Sequence, residues 1–446
     1  MFERETIRVL ENALEKLEDG FVDLPAIEHK LDFNKVEEVM LQVGRLMQDN
    51  YPYFHPYYAG QMLKPPHPVA QAAYMLSMWI NPNNHALDGG RASSHLEKEA
   101  VADIAKVFGW DHFLGHLTSG GTMANMEALW ISGKLNPGKL VVASEQAHYT
   151  HSRISGVLGL DFESIPCDNL ARMDLKSLRD CLDRGNVGTV VATIGTTATG
   201  SIDPLPDILA LRETYGFRLH ADAAYGGYFI LVDNLEPRDK GTYDCLHEVD
   251  SIVVDPHKHG LQPYGCGCVL YRDPEVGKYY KHDSPYTYFT SPELHLGEIS
   301  LECSRAGASA VALWATQKLL PLVRGGDFAK GLSRGRQAAL ELYQKINVDI
   351  RFRTIFPPAL DILVWAPGGS TASQISKRTD DFFEAAAAKN LHLAKFKCPV
   401  SLLKNRWVDV DFDQDTVVCL RSCLMKPEHY DWVDRIWEIL DRIAVS

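Results

Sequence analysis

The chain has 446 residues, 46% hydrophobic and 23% charged, usage that excludes disordered, collagen-like and coiled-coil classes. That length is about twice what one hydrophobic core comfortably serves, so a large domain and a smaller one are expected. Acidic residues outnumber basic ones by 58 to 45, a net charge of −13, which argues against a general nucleic-acid or membrane surface but allows one local basic pocket for a small anion.

The N-terminal MFERETIRVLENALEKLEDG reads as an amphipathic helix with Leu10, Leu14 and Leu17 on one stripe. It lacks the apolar core and cleavage site of a signal peptide, and no run reaches the roughly 18 apolar residues of a membrane span. A cytoplasmic location without membrane attachment is the expectation. The segment YPYFHPYYAGQMLKPPHPVA (51–70) is dense in aromatic rings and proline. It reads either as a hydrophobic lining or as an extended arm packed on the body. Turn residues at 81–90 lead into a helix expected after Ser94 and continuing to about Phe108.

From about 110 to 275, β-rich runs at Val141–Ser144, Val190–Ile194, Phe217–Ala221, Ser251–Val254 and Cys266–Tyr271 alternate with helical stretches at Met173–Leu182 and Leu205–Thr214. Apolar strands with helical crossovers point to a mainly parallel sheet covered on both faces. Too few residues join the runs at 251 and 266 for a crossover, so one strand there should be antiparallel. A long helix is expected over 303–322. Helices near 328–345, 373–389 and 428–443, with strands near 361–366 and 415–424, suggest a separate α+β unit. The expected division is an N-terminal helical and extended arm (1–90), a large domain (91–324) and a small C-terminal domain (325–446). The nine cysteines include no Cys-x-x-Cys pair and read as reduced, mostly buried thiols, not a disulfide framework or metal site.

In an open α/β sheet, ligands sit outside the carboxyl ends of the parallel strands. His148 follows VVASEQA there, Thr196 and Thr197 follow VVATIG, Asp222 follows FRLHA, and Lys258 follows SIVVDPH. In TSGGTMANMEALW (118–130), Gly120 and Gly121 precede a helix starting at Thr122, whose free N–H groups suit one phosphate. No Gly-Lys-Ser/Thr follows, so this is not a triphosphate loop. Lys258, fed by a buried strand, can capture a carbonyl, or it can simply pair with Asp255. Asp222 can hold a protonated ring nitrogen, with Ala223, Ala224 and Gly226 leaving room for a flat ring. Phosphate, carbonyl and ring nitrogen together describe pyridoxal phosphate.

His148, Gly195-Thr196-Thr197, HADAAYGG (220–227) and DPHKHG (255–260) resemble, in order and spacing, the signature of the pyridoxal-phosphate-dependent group II amino-acid decarboxylases. The likeness covers roughly residues 50 to 310. It implies the fold-type I architecture: a large, mainly parallel seven-stranded sheet with helices on both faces and a small C-terminal α+β domain. It also implies pyridoxal 5'-phosphate as cofactor and a homodimer with composite active sites.

By the same resemblance, Lys258 carries the cofactor, Asp222 faces its ring nitrogen, His148 stacks on one ring face and Ala224 lies under the other. Ser119, Gly121, Thr122 and His257 surround the phosphate, and Thr197 lies near the phenolic oxygen. Many relatives have Asn or Ser where this chain has Asp255. An acid beside a phosphate is awkward, so Asp255 is expected to point elsewhere. Tyr286, in HDSPYTYFT (282–290), resembles the family's proton-donating tyrosine, with Tyr288 a rival. Arg305 resembles the arginine that follows that loop. The stretch at 51–62 is closer to the tyrosine and archaeal tyrosine/aspartate branch than to bacterial glutamate decarboxylases, and His55, Tyr58, Gln61, His67 and His85 are expected to line a substrate pocket.

An aromatic L-amino acid is therefore the expected substrate. Lys64 and Arg91 keep glutamate or aspartate open as alternatives. An aminotransferase using Arg421 as a carboxylate clamp, or a carbon–carbon lyase, is a further alternative.

Overall fold

The computed structural model describes residues 4–27, 31–86, 89–281 and 299–445. The chain begins with helices α1 (Glu5–Glu18), α2 (Phe33–Leu46), α3 (Pro68–Met78) and α4 (Arg91–Val107). An alternation follows: β1 (Leu114–Thr118), α5 (Gly121–Leu135), β2 (Leu140–Ser144), α6 (Thr150–Leu158), β3 (Phe162–Ile165), α7 (Leu175–Asp183), β4 (Val187–Thr193), α8 (Leu205–Tyr215), β5 (Arg218–Asp222), α9 (Pro237–Asp244), β6 (Ser251–Val254) and β7 (Gly267–Tyr271). Helices α10 (Gly307–Leu319) and α11 (Asp327–Asn347) lead into β8 (Phe352–Thr354), β9 (Ile362–Pro367), α12 (Ala372–Ala387), β10 (Ala394–Pro399), β11 (Thr416–Cys423) and α13 (His429–Val445).

The large sheet has seven strands in the order β1-β7-β6-β5-β4-β2-β3. Strand β7 runs antiparallel to both β1 and β6, and the other pairings are parallel, so the expected reversed strand is present. Strand β4, VGTVVAT, and strand β6, SIVV, are buried throughout, as β-branched runs are when helices cover both faces. The smaller sheet is antiparallel, in the order β10-β11-β9-β8. Two strands of the large sheet were not expected, and both lie at its edges. Strand β1 is LGHLT, with Gly115 and His116 interrupting the apolar run, and β3 buries only Ile165.

Helix α4 begins at Arg91, before the expected start after Ser94, because Gly90 is the cap and its carbonyl accepts the Ser94 N–H at 2.8 Å. The first part of the 51–70 stretch is an arm packed on the small domain: Ala59 N–H donates to the His392 carbonyl at 2.9 Å, and Cys423 N–H to the Ala59 carbonyl at 2.8 Å. Its end turns to the large domain, where His67 N–H donates to the Leu261 carbonyl at 2.9 Å and α3 begins. Helix α1 buries Leu10 and packs on α3. Helix α2 buries none of its residues and leaves Phe33, Val39, Met40 and Leu41 exposed. All nine cysteines are free thiols, and most are buried. Among the described residues no helix is long and apolar enough to cross a membrane.

Candidate active site at the strand edge

The parallel register sets Asp222, the last residue of β5, between Thr193 of β4 and Val253 of β6. The carboxyl ends of β1, β2, β4, β5 and β6 therefore share one edge, where they frame a pocket of about 340 Å³. Ser119, Gly121, Thr122, His148, Thr197, Asp222, Ala224, His257 and Lys258 all line it. These side chains come from five separate connections, brought together by the sheet order alone.

Asp222 is 5% exposed. Its Oδ1 accepts the Ala224 N–H at 3.2 Å, and its Oδ2 lies 2.8 Å from His151 Nε2. Burial alone would raise this carboxyl. The His151 hydrogen bond and the charges of His151, Lys258 and His220 outweigh burial and hold it well below the usual carboxylate range. An ionised carboxylate only accepts, so His151 donates from Nε2. His151 is the site residue that sequence reading missed. It stands three places after His148 at the start of α6, and that His-x-x-His spacing was its one signal.

Lys258 Nζ is 3.0 Å from Asp255 Oδ2. Asp255 thus faces into the pocket, which corrects the expectation that it points elsewhere. Buried and 3.6 Å from His257 Nε2 as well, it serves as the counterion of the lysine. It also explains a glycine: a Cβ at Gly121 would sit 2.5 Å from Asp255 Oδ2. Gly120, at φ +152°, supplies the backbone turn that opens α5. His257 Nδ1 lies 2.8 Å from the Cys266 carbonyl and donates to it, which fixes the ring, and burial pulls its pKa down.

His148 Nδ1 lies 2.8 Å from Thr150 Oγ1 and accepts the Thr150 N–H at 3.4 Å. Burial first, then the Lys258 and His151 charges, lower its pKa against the opposing pull of Asp222. The ring is therefore neutral near pH 7, with its proton on Nε2. The Ser119 N–H donates to Glu302 Oε2 at 2.8 Å, a partner the sequence did not suggest. The Thr197 carbonyl accepts from Arg421 Nη1 at 3.1 Å, while Arg421 Nη2 donates to Gln61 Oε1 at 2.9 Å.

The expected substrate-lining residues are placed elsewhere. Within one chain, His55, Tyr58, Gln61 and His85 do not line this pocket. The arm carrying the first three folds against the small domain, where the His55 ring packs on Trp432 at 4.8 Å and the Tyr58 hydroxyl accepts the Gln61 N–H at 3.2 Å. His85 lies in the turn before α4, beside Gly89. His67 caps α3, its Nδ1 accepting the Val69 N–H. Arg305 ion-pairs with the buried Glu97 at 2.8 Å, which ties the stretch before α10 to α4. Tyr286 and Tyr288 lie outside the described residues.

The donor set fits pyridoxal phosphate: an amine on the pocket wall, an ionised buried carboxylate on the sheet edge, a neutral imidazole, and a glycine turn opening a helix toward an anion. Residues 12–364 match the family model described as the pyridoxal-dependent decarboxylase conserved domain. A probable L-tyrosine/L-aspartate decarboxylase of Methanococcus maripaludis is 28% identical over 337 residues, covering 73% of this chain and 85% of that protein. The structure of Catharanthus roseus tryptophan decarboxylase in complex with L-tryptophan superposes with a TM-score of 0.77 at 16% identity, covering 99% of this chain and 97% of the other. The glutamate decarboxylase domain of a Vibrio parahaemolyticus protein does so with a TM-score of 0.75 at 18% identity, covering 99% and 94%. The fold is thus shared by neighbours whose names differ in substrate.

Proposed function

The chain belongs to the pyridoxal-dependent decarboxylase family and is a pyridoxal-phosphate-dependent carboxy-lyase acting on an amino acid, and from that premise we propose that its substrate is an aromatic, tyrosine-like L-amino acid, released as amine and CO2. One observation carries the choice. Among the described residues lining the pocket, Lys258 is the single lysine and there is no arginine, while Asp222 and Asp255 are both acidic. Within one chain, an acidic substrate side chain would meet a lining without a spare counterion, whereas an aromatic one needs none.

Bound pyridoxal phosphate supplies an electron-accepting ring into which the electron pair of the broken Cα–carboxylate bond can spread. In this reading Lys258 Nζ would hold the cofactor through its aldehyde. Asp222, kept ionised by His151, would keep a proton on the ring nitrogen. His148 and Ala224 would flank the ring. Gly121, Thr122, Ser119 and His257 would hold the phosphate, with Thr197 toward the phenolic oxygen. Tyr286 Oη delivers a proton to Cα after CO2 departs. Tyr286→Phe should therefore lower amine formed per CO2 released, and Tyr288→Phe should not. The reverse pattern would assign the proton to Tyr288.

We also propose a cytoplasmic homodimer with composite sites. The exposed apolar residues of α2 need a cover, and in such a dimer His55, Tyr58, Gln61 and His85 serve substrate binding across the boundary. Sedimentation showing a fully active monomer would refute this.

A second reading, decarboxylation of aspartate or glutamate, is favoured by Arg421. That guanidinium is 6% exposed, sits directly behind Thr197, and its Nε has no hydrogen-bond partner. Measuring CO2 and amine with each standard amino acid separates the readings. Tyrosine or another aromatic should give both products at the highest kcat/KM. Preference for an acidic substrate would establish the second reading, and a keto acid without CO2 would overturn both.

A further inference from the structure

A second cavity, of about 780 Å³, lies where α1, the 54–75 segment, the loop after β6, the end of α10, the start of α11 and the segment after β11 meet. It shares no lining residue with the cofactor pocket. Most of its wall is apolar, including Phe54, Met75, Leu320 and Phe328. Two amines interrupt that wall. Lys64 Nζ donates to the Met425 carbonyl at 3.2 Å, and Lys426 Nζ to the Tyr58 carbonyl at 2.7 Å. An ammonium has three N–H donors, so each has two to spare. Neither is ion-paired with a carboxylate among the described residues, although Lys426 is only 4% exposed.

His259 completes the arrangement. It is 1% exposed, lines the same cavity, and its Nδ1 has no hydrogen-bond partner. The other acidic and basic groups are Arg4, Asp327 and Glu428 in the lining, all exposed, with His67 on the α3 side and Asp361 behind His259. Amines withdrawn from water, with no carboxylate at ion-pair distance, are costly and ask for an anion. The apolar wall asks for a body that is not solvated.

We propose that this cavity binds a small monocarboxylate with an apolar body, its carboxylate held by Lys64 and Lys426 and its body by the Phe54, Met75 and Phe328 wall. Burial draws Lys64 down to about 8 and Lys426 to about 7, with Asp361 and Glu428 offsetting only part of the effect for Lys64. A carboxylate arriving between them favours the charged amines, so binding takes up protons. The site also touches the cofactor pocket through the chain itself. His259 follows Lys258 directly, and its Nε2 is 3.3 Å from Asp361 Oδ2, whose partner oxygen accepts the hydroxyl of Tyr225 at 2.6 Å. Tyr225 lines the cofactor pocket.

The test is calorimetric titration of the full-length holoprotein with 3-phenylpropionate at about pH 8, in two buffers of different ionisation enthalpy. Its amine and alcohol analogues, 3-phenylpropylamine and 3-phenylpropanol, are the controls. The carboxylate should bind once per chain with net proton uptake, and the controls should not bind. Lys64→Met should weaken binding about tenfold or more. Met75→Trp, a substitution at a partly exposed wall position that leaves both amines in place, should weaken it comparably by filling the cavity. Absence of binding at millimolar concentration would overturn the proposal. So would binding that persists unchanged in both variants, which would place the acid in the cofactor pocket. No readout requires turnover, so the result stands apart from the substrate assignment.

Discussion

Asp222 and Lys426 are buried and Lys64 is half-buried, yet of these three only Asp222 is surrounded by groups that hold it ionised. Its two oxygens accept from Ala224 N–H and His151 Nε2, and Lys258 stands close enough to add its field. The lysines have one backbone carbonyl each, and Lys426 Nζ also lies 5.3 Å from the centre of the Tyr58 ring. The same desolvation therefore ends in opposite states: a carboxyl driven down despite burial, and amines drawn toward neutrality by it. A charge prepared in advance suits catalysis, because no reorganisation is needed when charge develops in the transition state. A charge left uncompensated suits a ligand that brings its own counterion.

Asp222→Asn should cause the largest loss, roughly 10²- to 10³-fold in kcat, comparable to deleting a preorganised electrostatic group. Capture of the cofactor by Lys258 uses a different atom and should largely survive, as absorbance of the bound cofactor would record. Near-normal turnover would mean that another acid faces the ring nitrogen.

His151→Phe should cost roughly tenfold to a hundredfold, the value of one hydrogen bond to a charged group. It also carries a pH signature. Asp222 is depressed in the folded state, so its stabilisation is present above the ordinary aspartate pKa and lost as pH falls through the folded value. Removing His151 raises that folded value, so the acid-side loss of both stability and kcat should move toward neutral pH. A fall in activity with an unmoved acid limb would show that His151 only fills space.

The smallest effect is on stability. Lys64 and Lys426 bind fewer protons folded than unfolded between about pH 7 and pH 10, so stability from this source rises with pH across that window. Lys426→Met should flatten the rise, with denaturant midpoints closer together at pH 6.5 and pH 9.5 than in the parent protein. An unchanged slope would mean that the amine is already compensated.

The site edge was legible in the sequence because His148, Thr197, Asp222 and Lys258 follow apolar strand runs, and strand ends in an open parallel sheet converge. His148, Asp222 and Lys258 could be placed from that rule, and the resemblance supplied their roles. For Asp255 the sequence left two readings, a pair with Lys258 or a carboxylate pointing elsewhere, and the turn after β6 decides for the pair. His151 was passed over because a histidine in the first turn of a helix reads as local packing until the parallel register sets it against Asp222. Strands β1 and β3 escaped because edge strands need no unbroken apolar run. The second cavity left no local trace at all: its lining comes from residues as far apart as Arg4 and Glu428.

Borohydride reduction of the holoprotein followed by peptide mapping reads the central assignment directly. The cofactor mass should appear on the peptide containing Lys258, and Asp222→Asn protein should still carry it there. Reduced protein with no cofactor mass on that peptide, or with the mass on another lysine, would contradict the site described at the strand edge.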